Sequence, residues 1–133
     1  MYNEPKLSVV GAGPGDPALI TIKAVNTLKS AKVVLYDALI NRDLLSYAPR
    51  AEHIYVGKRK DQHKYSQDEI NELIVKYAFE CGHVVRLKGG DPFIFGRGAE
   101  EIEFAKSKGL ETAIVSGITS SIAVPANVGI PLT

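Results

Sequence analysis

The chain has 133 residues, of which 45% are hydrophobic, and its charges nearly balance at +1. This length suits a single domain with a sizeable core, and the charge balance argues against a general nucleic-acid binder, which needs a basic excess on one face. No segment approaches the roughly 18 apolar residues of a membrane-spanning helix, and the first residues lack a secretory pattern. The single cysteine, Cys81, excludes a disulfide framework. We therefore expect a cytoplasmic protein with neither nucleic-acid nor membrane partners.

The hydrophobic pattern in the first part of the chain predicts alternating strands and helices. KLSVVGAG is a buried strand that breaks at glycine, and ITIKAVNTLKSA has apolar residues at helical spacing. KVVLYD is the next strand, NRDLLSYA a short helix stopped by Pro49, and EHIYVG a third strand. Ser66 and Glu69 form a capping box, which predicts a helix from Ser66 to Cys81 that Gly82 closes.

The rest of the chain continues the alternation. HVVRLK is the fourth strand, GAEEIEFAKSKG a helix ending at Gly109, ETAIVSG the fifth strand, and TSSIAVPAN a last helix that Pro125 kinks or stops. Alternating strands and helices connect by right-handed crossovers. The predicted fold class is therefore α/β, a three-layer αβα arrangement with a mostly parallel five-stranded sheet.

The segments that carry chemistry follow the predicted strands directly. They are GAGPGDP, YD, VGKRK, KGGDPFIFGRG and SGITSS, after the first to the fifth strand in that order. Ligands of open α/β sheets bind beyond the carboxyl ends of the strands. We therefore expect these loops to meet at one edge of the sheet and to form the binding site.

The first loop resembles a dinucleotide fingerprint only in part. Gly11 and Gly13 match, but the third position is Asp16, whose carboxylate would repel a pyrophosphate, and Pro14 lacks an amide N–H. A P-loop is excluded because no Gly-Lys-Ser/Thr ending follows. A purely structural interpretation is a tight turn in which Asp16 or Thr21 caps the next helix.

A ligand without phosphate fits these loops better. The first and fourth loops each combine glycines with an aspartate, Asp16 and Asp91. Glycines let the backbone approach a ligand closely, and a carboxylate accepts hydrogen bonds from a ribose or pairs with an ammonium group. These features favour S-adenosyl-L-methionine and leave an NAD or FAD domain open as the alternative.

Several segments together resemble the tetrapyrrole methylase family. They are VGAGPGDPALITIKA, VVLYDALI, VGKRK, SQDEIN, VVRLKGGDPFIFGRGAEE and GITSSIAVPANVGIPLT, and they span the chain from about Leu7 to Thr133. The resemblance implies methyl transfer from S-adenosyl-L-methionine to two ring carbons of uroporphyrinogen III. The products would be S-adenosyl-L-homocysteine and precorrin-2, formed by way of precorrin-1, for sirohaem and cobalamin synthesis. Another precorrin methylase is the nearest alternative.

The resemblance also implies a set of donor-binding residues, namely Pro14, Gly89, Gly90, Asp91, Ile94, Thr119 and Ser120. The glycines would allow backbone contact with the donor, Asp91 would accept a hydrogen bond and Ile94 would supply an apolar wall. Thr119 and Ser120 could instead only cap the last helix, and Asp91 could only open a turn. Arg97 is interpreted as a brace for the glycine loop.

By the same resemblance, Asp37 and Lys58 take the catalytic positions as proton acceptor and proton donor. Asp37 ends the second strand, where a dinucleotide enzyme would keep its ribose-binding acid. Lys58 opens GKRKDQHK, either a solvated surface loop or a basic loop that attracts a polycarboxylate substrate. The three histidines and the single cysteine do not show metal-ligand spacing, so no metal site is predicted; the histidines are His53, His63 and His83.

The chain departs from the family in two respects. Relatives carry a second α/β domain after GIPLT and bind the donor between the two domains, so we expect residues 1–133 to be the amino-terminal domain only. Ser116 stands where relatives usually have proline. The resemblance implies a homodimer for the full-length protein, and a non-catalytic binding domain stays open for this part alone.

Overall fold

The structure is a computed structural model that describes residues 4–57, 65–92, 97–119, 123 and 126–131. The strands are β1 (Lys6–Gly11), β2 (Val33–Tyr36), β3 (Glu52–Tyr55), β4 (His83–Lys88) and β5 (Glu111–Val115). The helices are α1 (Ile22–Lys29), α2 (Gln67–Cys81) and α3 (Gly98–Ser107), with 3-10 helices at Pro17–Leu19 and Arg42–Tyr47. Each of the five predicted strands is confirmed, and the predicted short helix after β2 is a 3-10 helix. The predicted last helix falls largely outside the described residues.

All five strands are parallel and pair in the order β3-β2-β4-β1-β5. The chain moves outward from β1 to β2 and β3, and then returns to place β4 between β2 and β1. Every crossover contains a helix or a 3-10 helix, and the central strands β1, β2 and β4 are buried on both faces, whereas the edge strands β3 and β5 are partly exposed. This arrangement confirms the predicted α/β fold.

Two apolar clusters fill the space between the sheet and its two helical layers. On one face Val10, Val34 and Leu87 pack under α1 and the second 3-10 helix. On the other face Val9 and Leu35 pack under α2 and α3. Successive residues of β1 and β2 alternate between these clusters, which explains why their sequences are apolar without alternation. No helix in the described part of the chain is both long enough and apolar enough to span a bilayer.

Local side-chain caps begin three of the helical segments. The Ser66 hydroxyl accepts from the Glu69 amide at 3.1 Å, and the Glu69 carboxylate accepts from the Ser66 amide at 3.0 Å, which completes the capping box of α2. Asp16 accepts from the Ala18 amide at 2.9 Å, and Thr21 caps α1. Thr21 therefore caps the predicted helix, as one of the two structural interpretations held, whereas Asp16 caps a separate 3-10 turn before it.

Candidate functional site

The loops that follow β1 and β4 are hydrogen-bonded to each other at the carboxyl edge of the sheet. The Gly90 amide donates to the Gly13 carbonyl at 2.7 Å, and the Gly13 amide donates to the Gly90 carbonyl at 3.2 Å. Gly13 has φ +83°, and a Cβ there would lie 2.9 Å from the Leu19 carbonyl oxygen, so only glycine fits this turn. The pair places Pro14 beside the glycine-aspartate loop of β4.

The loop that follows β5 closes onto the same point. The Asp91 carboxylate accepts from the Gly117 amide at 3.0 Å. A Cβ on Gly11 would lie 2.5 Å from the Gly117 nitrogen and 2.6 Å from the Gly90 carbonyl oxygen. The main chains of three loops therefore touch without intervening side chains, which is the close approach that glycine permits.

Thr119 lies directly beyond this glycine contact. The residue is buried, and a Cβ on Gly90 would lie 3.8 Å from its Cα. Its carbonyl accepts from the Ala123 amide at 3.0 Å, a helical spacing that agrees with its predicted place at the start of the last helix. Thr119 thus joins the same edge as Gly90 and Asp91.

The loop that follows β2 brings Asp37 to this edge. One oxygen of Asp37 accepts from the Leu39 amide at 2.9 Å, and its side chain is 25% exposed. Leu39 approaches Gly89, because a Cβ there would lie 3.2 Å from the Leu39 Cβ. The Asn41 side-chain amide donates to the Gly15 carbonyl at 3.3 Å. The second loop therefore contacts both the first and the fourth.

A buried group of charged side chains lies below this edge, between the sheet and α3. It consists of Arg86 and Lys88 on β4 and Glu101 on α3, and we call it the buried charge cluster. Burial, followed by the nearby Arg86 charge, lowers the pKa of Lys88, while Glu101 opposes that shift. Sequence reasoning missed this cluster, although basic residues at alternate positions of an otherwise apolar parallel strand were the available signal.

An exposed arginine stacks on two tyrosines near the ends of β2 and β3. The Arg42 guanidinium lies 5.7 Å from the Tyr36 ring centre and 5.5 Å from that of Tyr55. The two rings pack edge to face, 5.5 Å apart. This cation–π contact was also not predicted, because its three members come from different elements.

The described residues of the predicted site all lie at the carboxyl edge, namely Pro14, Asp37, Gly89, Gly90, Asp91 and Thr119. Lys58, Ile94 and Ser120 lie outside the described residues, as does the basic segment 58–64. Arg97 is an exposed residue at the start of α3 and gives that helix no side-chain cap. Within the described ranges, no group of three or more histidine, cysteine or acidic residues is placed to hold a metal ion.

The chain matches known proteins over most of its length. Residues 6–133 match the family described as Tetrapyrrole (Corrin/Porphyrin) Methylases. Uroporphyrinogen-III C-methyltransferase of Methanocaldococcus jannaschii is 57% identical over 129 residues, which cover 96% of this chain and 53% of that protein. The Bacillus subtilis protein of the same name is 53% identical, with coverages of 96% and 50%. The chain spans about half the length of these curated relatives.

The chain is also similar in fold to a solved structure. The crystal structure of Uroporphyrin-III C-methyl transferase from Thermus thermophilus complexed with S-adenyl homocysteine superposes with a TM-score of 0.80 at 47% identity. The match covers 96% of this chain and 53% of that one.

Proposed function

Because this chain belongs to the tetrapyrrole (corrin/porphyrin) methylase family, we propose that it forms the amino-terminal half of an enzyme that methylates uroporphyrinogen III. The donor is S-adenosyl-L-methionine, and the product is precorrin-2, reached by way of precorrin-1 on the route to sirohaem and cobalamin. One observation carries the proposal. The loops of β1, β4 and β5 meet through bare main chain at Gly11, Gly90 and Gly117, at the edge where α/β sheets bind ligands.

The chemistry of this edge fits the proposed donor. Main-chain groups approach closely at the three glycines, and Asp91 holds a carboxylate at the junction of the loops. Pro14, Gly89 and Gly90 would contact the donor through the backbone, while Thr119, Ser120 and Ile94 would complete its surroundings. When bound, S-adenosyl-L-methionine supplies an electrophilic methyl group, and S-adenosyl-L-homocysteine leaves as the co-product.

The protein's main task is to align the reacting atoms and exclude water. Oriented reactions of this kind gain roughly 7 to 11 kcal/mol from positioning. Asp37, which is partly exposed at the carboxyl end of β2, would accept a proton that the macrocycle releases as it rearranges after the methyl group has been transferred. Lys58 would donate a proton as the macrocycle rearranges.

The proposal extends to the remaining partners, which the resemblance to the family implies. A polycarboxylate tetrapyrrole would be attracted by the basic residues of segment 58–64, namely Lys58, Arg59, Lys60, His63 and Lys64. A second α/β domain would close the donor cleft, and the complete protein would form a homodimer in the cytoplasm. The isolated residues 1–133 should then bind S-adenosyl-L-homocysteine weakly, which calorimetry on this chain and on the complete protein can measure.

Two assays on the complete protein test the proposal. Titration with S-adenosyl-L-homocysteine and with NADH separates a methylase from a nucleotide-binding oxidoreductase, and binding of NADH alone would refute the donor. Formation of precorrin-2 from uroporphyrinogen III is then followed by absorbance and mass. Methylation of a later precorrin in place of uroporphyrinogen III would identify the alternative substrate.

Substitution of Asp37 tests its proposed role. Asp37→Asn should lower the rate of precorrin-2 formation by roughly 100-fold, the lower end of the contribution from a positioned acid–base group. Asp43→Asn is the matched control, because Asp43 is an exposed aspartate of the neighbouring 3-10 helix. Equal rates for the two variants would show that Asp37 is not the proton acceptor.

A further inference from the structure

We propose that Glu101 is a positioning residue that aims the Arg86 guanidinium at Asp37. This inference rests on the proposed function, in which Asp37 accepts a proton. The Glu101 side chain is fully buried on α3, and its Oε2 accepts from Arg86 Nε at 3.1 Å. At the other end of the same guanidinium, Nη2 lies 3.8 Å from Asp37 Oδ2. Arg86 thus connects a carboxylate inside the protein to the carboxylate at the edge.

The geometry of a guanidinium makes this connection directional. Its nitrogens are coplanar and rigidly spaced, so fixing some of them fixes the others. Nε is held by Glu101, and Nη1 lies 3.5 Å from the Leu35 carbonyl and 3.4 Å from that of Leu87. Nη2 is then left pointing toward Asp37, and the position of the Asp37 carboxylate depends on the Glu101 anchor.

Charge balance supports the same assignment. Arg86 and Lys88 bring two buried positive charges, Glu101 brings one buried negative charge, and Asp37 supplies the fourth charge at the edge. Lys88 Nζ lies 3.1 Å from Glu101 Oε1, but within the described residues that oxygen has no well-directed hydrogen bond. Buried ion pairs seldom stabilise a fold better than apolar side chains of similar volume do. The buried charge cluster is therefore better explained by its positioning of the Asp37 carboxylate than by a contribution to the stability of the fold.

A neighbouring helix holds the anchor in place. Gln67 on α2 donates to Glu101 Oε2 at 3.2 Å and to the Asn71 side chain at 2.8 Å. Both α2 and α3 pack on the same face of the sheet. The anchor is thus tied to two helices of the scaffold, which is the support that a precise site requires.

A pair of double variants of the complete protein separates positioning from charge balance. Glu101→Met with Lys88→Met removes the acceptor for Arg86 Nε, and Glu101→Gln with Lys88→Met keeps an oxygen that can accept it. Both remove one positive and one negative buried charge, so they serve as matched controls for stability. We expect about a tenfold lower kcat for the methionine pair, with donor KM within about twofold, and most of the rate retained by the glutamine pair.

The same variants in an Asp37→Asn background decide whether Glu101 acts through Asp37. The tenfold difference between the methionine and glutamine pairs should vanish there, because the group being positioned is gone. A difference that persists in the Asp37→Asn background, or equal rates for both pairs in the parent, would overturn the proposal.

Crystal structures of the two double variants provide a reading that does not depend on turnover. The Arg86 guanidinium should leave Asp37 in the methionine pair and stay in the glutamine pair, and an unmoved guanidinium in both would also overturn the positioning role. If the complete parent protein binds the donor but makes no precorrin-2, the proposed function fails, while these structures still decide the placement of Arg86.

Discussion

Substitution of Gly11 by alanine tests whether the glycine contact forms the donor site. The new Cβ would lie 2.5 Å from the Gly117 nitrogen and 2.6 Å from the Gly90 carbonyl oxygen, whereas real Cβ contacts essentially never fall below 3.0 Å. Backbone surrounds the new atom, so no flexible side chain can yield, and the loops of β4 and β5 must move apart. Overpacking of this kind lowers the free energy of unfolding by about 1–3 kcal/mol. For a domain of this size, each kcal/mol corresponds to roughly 4 °C in melting temperature, so the melting temperature should fall by about 4–12 °C.

Gly109→Ala is the matched control for this substitution. Gly109 has φ +88°, a Cβ there would meet no described residue beyond its chain neighbours within 4 Å, and it sits in the turn between α3 and β5 at the opposite edge of the sheet. Backbone strain should cost about 1–2 kcal/mol there, which is comparable to the cost at Gly11. Chemical denaturation measures both losses, and calorimetry with S-adenosyl-L-homocysteine measures affinity in the complete protein. We expect Gly11→Ala alone to weaken binding by tenfold or more, and equal affinities in the two variants would refute the reasoning.

Three further predictions concern separate features. Asp91→Ala leaves the Gly117 amide without its acceptor and should lower the unfolding free energy by about 1–3 kcal/mol. The same substitution should weaken donor binding in calorimetry. If donor affinity is retained, the carboxylate is a structural cap only. Ser66→Ala removes half of the capping box with Glu69 and should lower the unfolding free energy by about 1 kcal/mol without changing precorrin-2 formation. The pKa of His83 is lowered from 6.5, and burial is the largest cause. The unfolded state therefore binds the proton more readily than the folded state does. The free energy of unfolding should fall as the pH drops below about 6.5. Unfolding curves of the parent and of His83→Gln between about pH 7 and pH 5 should show that this loss is smaller in the variant; identical pH dependence would contradict it.

Sequence reasoning located much of the candidate site because the rule it used is topological. If parallel strands alternate with helices, every strand ends at the same edge, whatever the order of the strands. Pro14, Gly90, Asp91 and Thr119 could therefore be assigned to one edge without knowing which loops touch. The caps at Asp16, Thr21 and Ser66 were equally accessible, since each bond spans two or three residues.

The contacts that define the site needed the tertiary structure. Strand order β3-β2-β4-β1-β5 places β1 between β4 and β5, and this adjacency packs Gly117 against Gly11 and joins it to Asp91. The same order places Arg86 of β4 beside β2, where its guanidinium lies close to Asp37. Glu101 contacts the same guanidinium from α3, which packs on one face of the sheet. Hydrophobic periodicity and capping motifs report interactions between residues that are close in the chain. The contacts of Gly11 with Gly117 and of Arg86 with Asp37 and Glu101 form only when strands distant in the chain pair in the sheet.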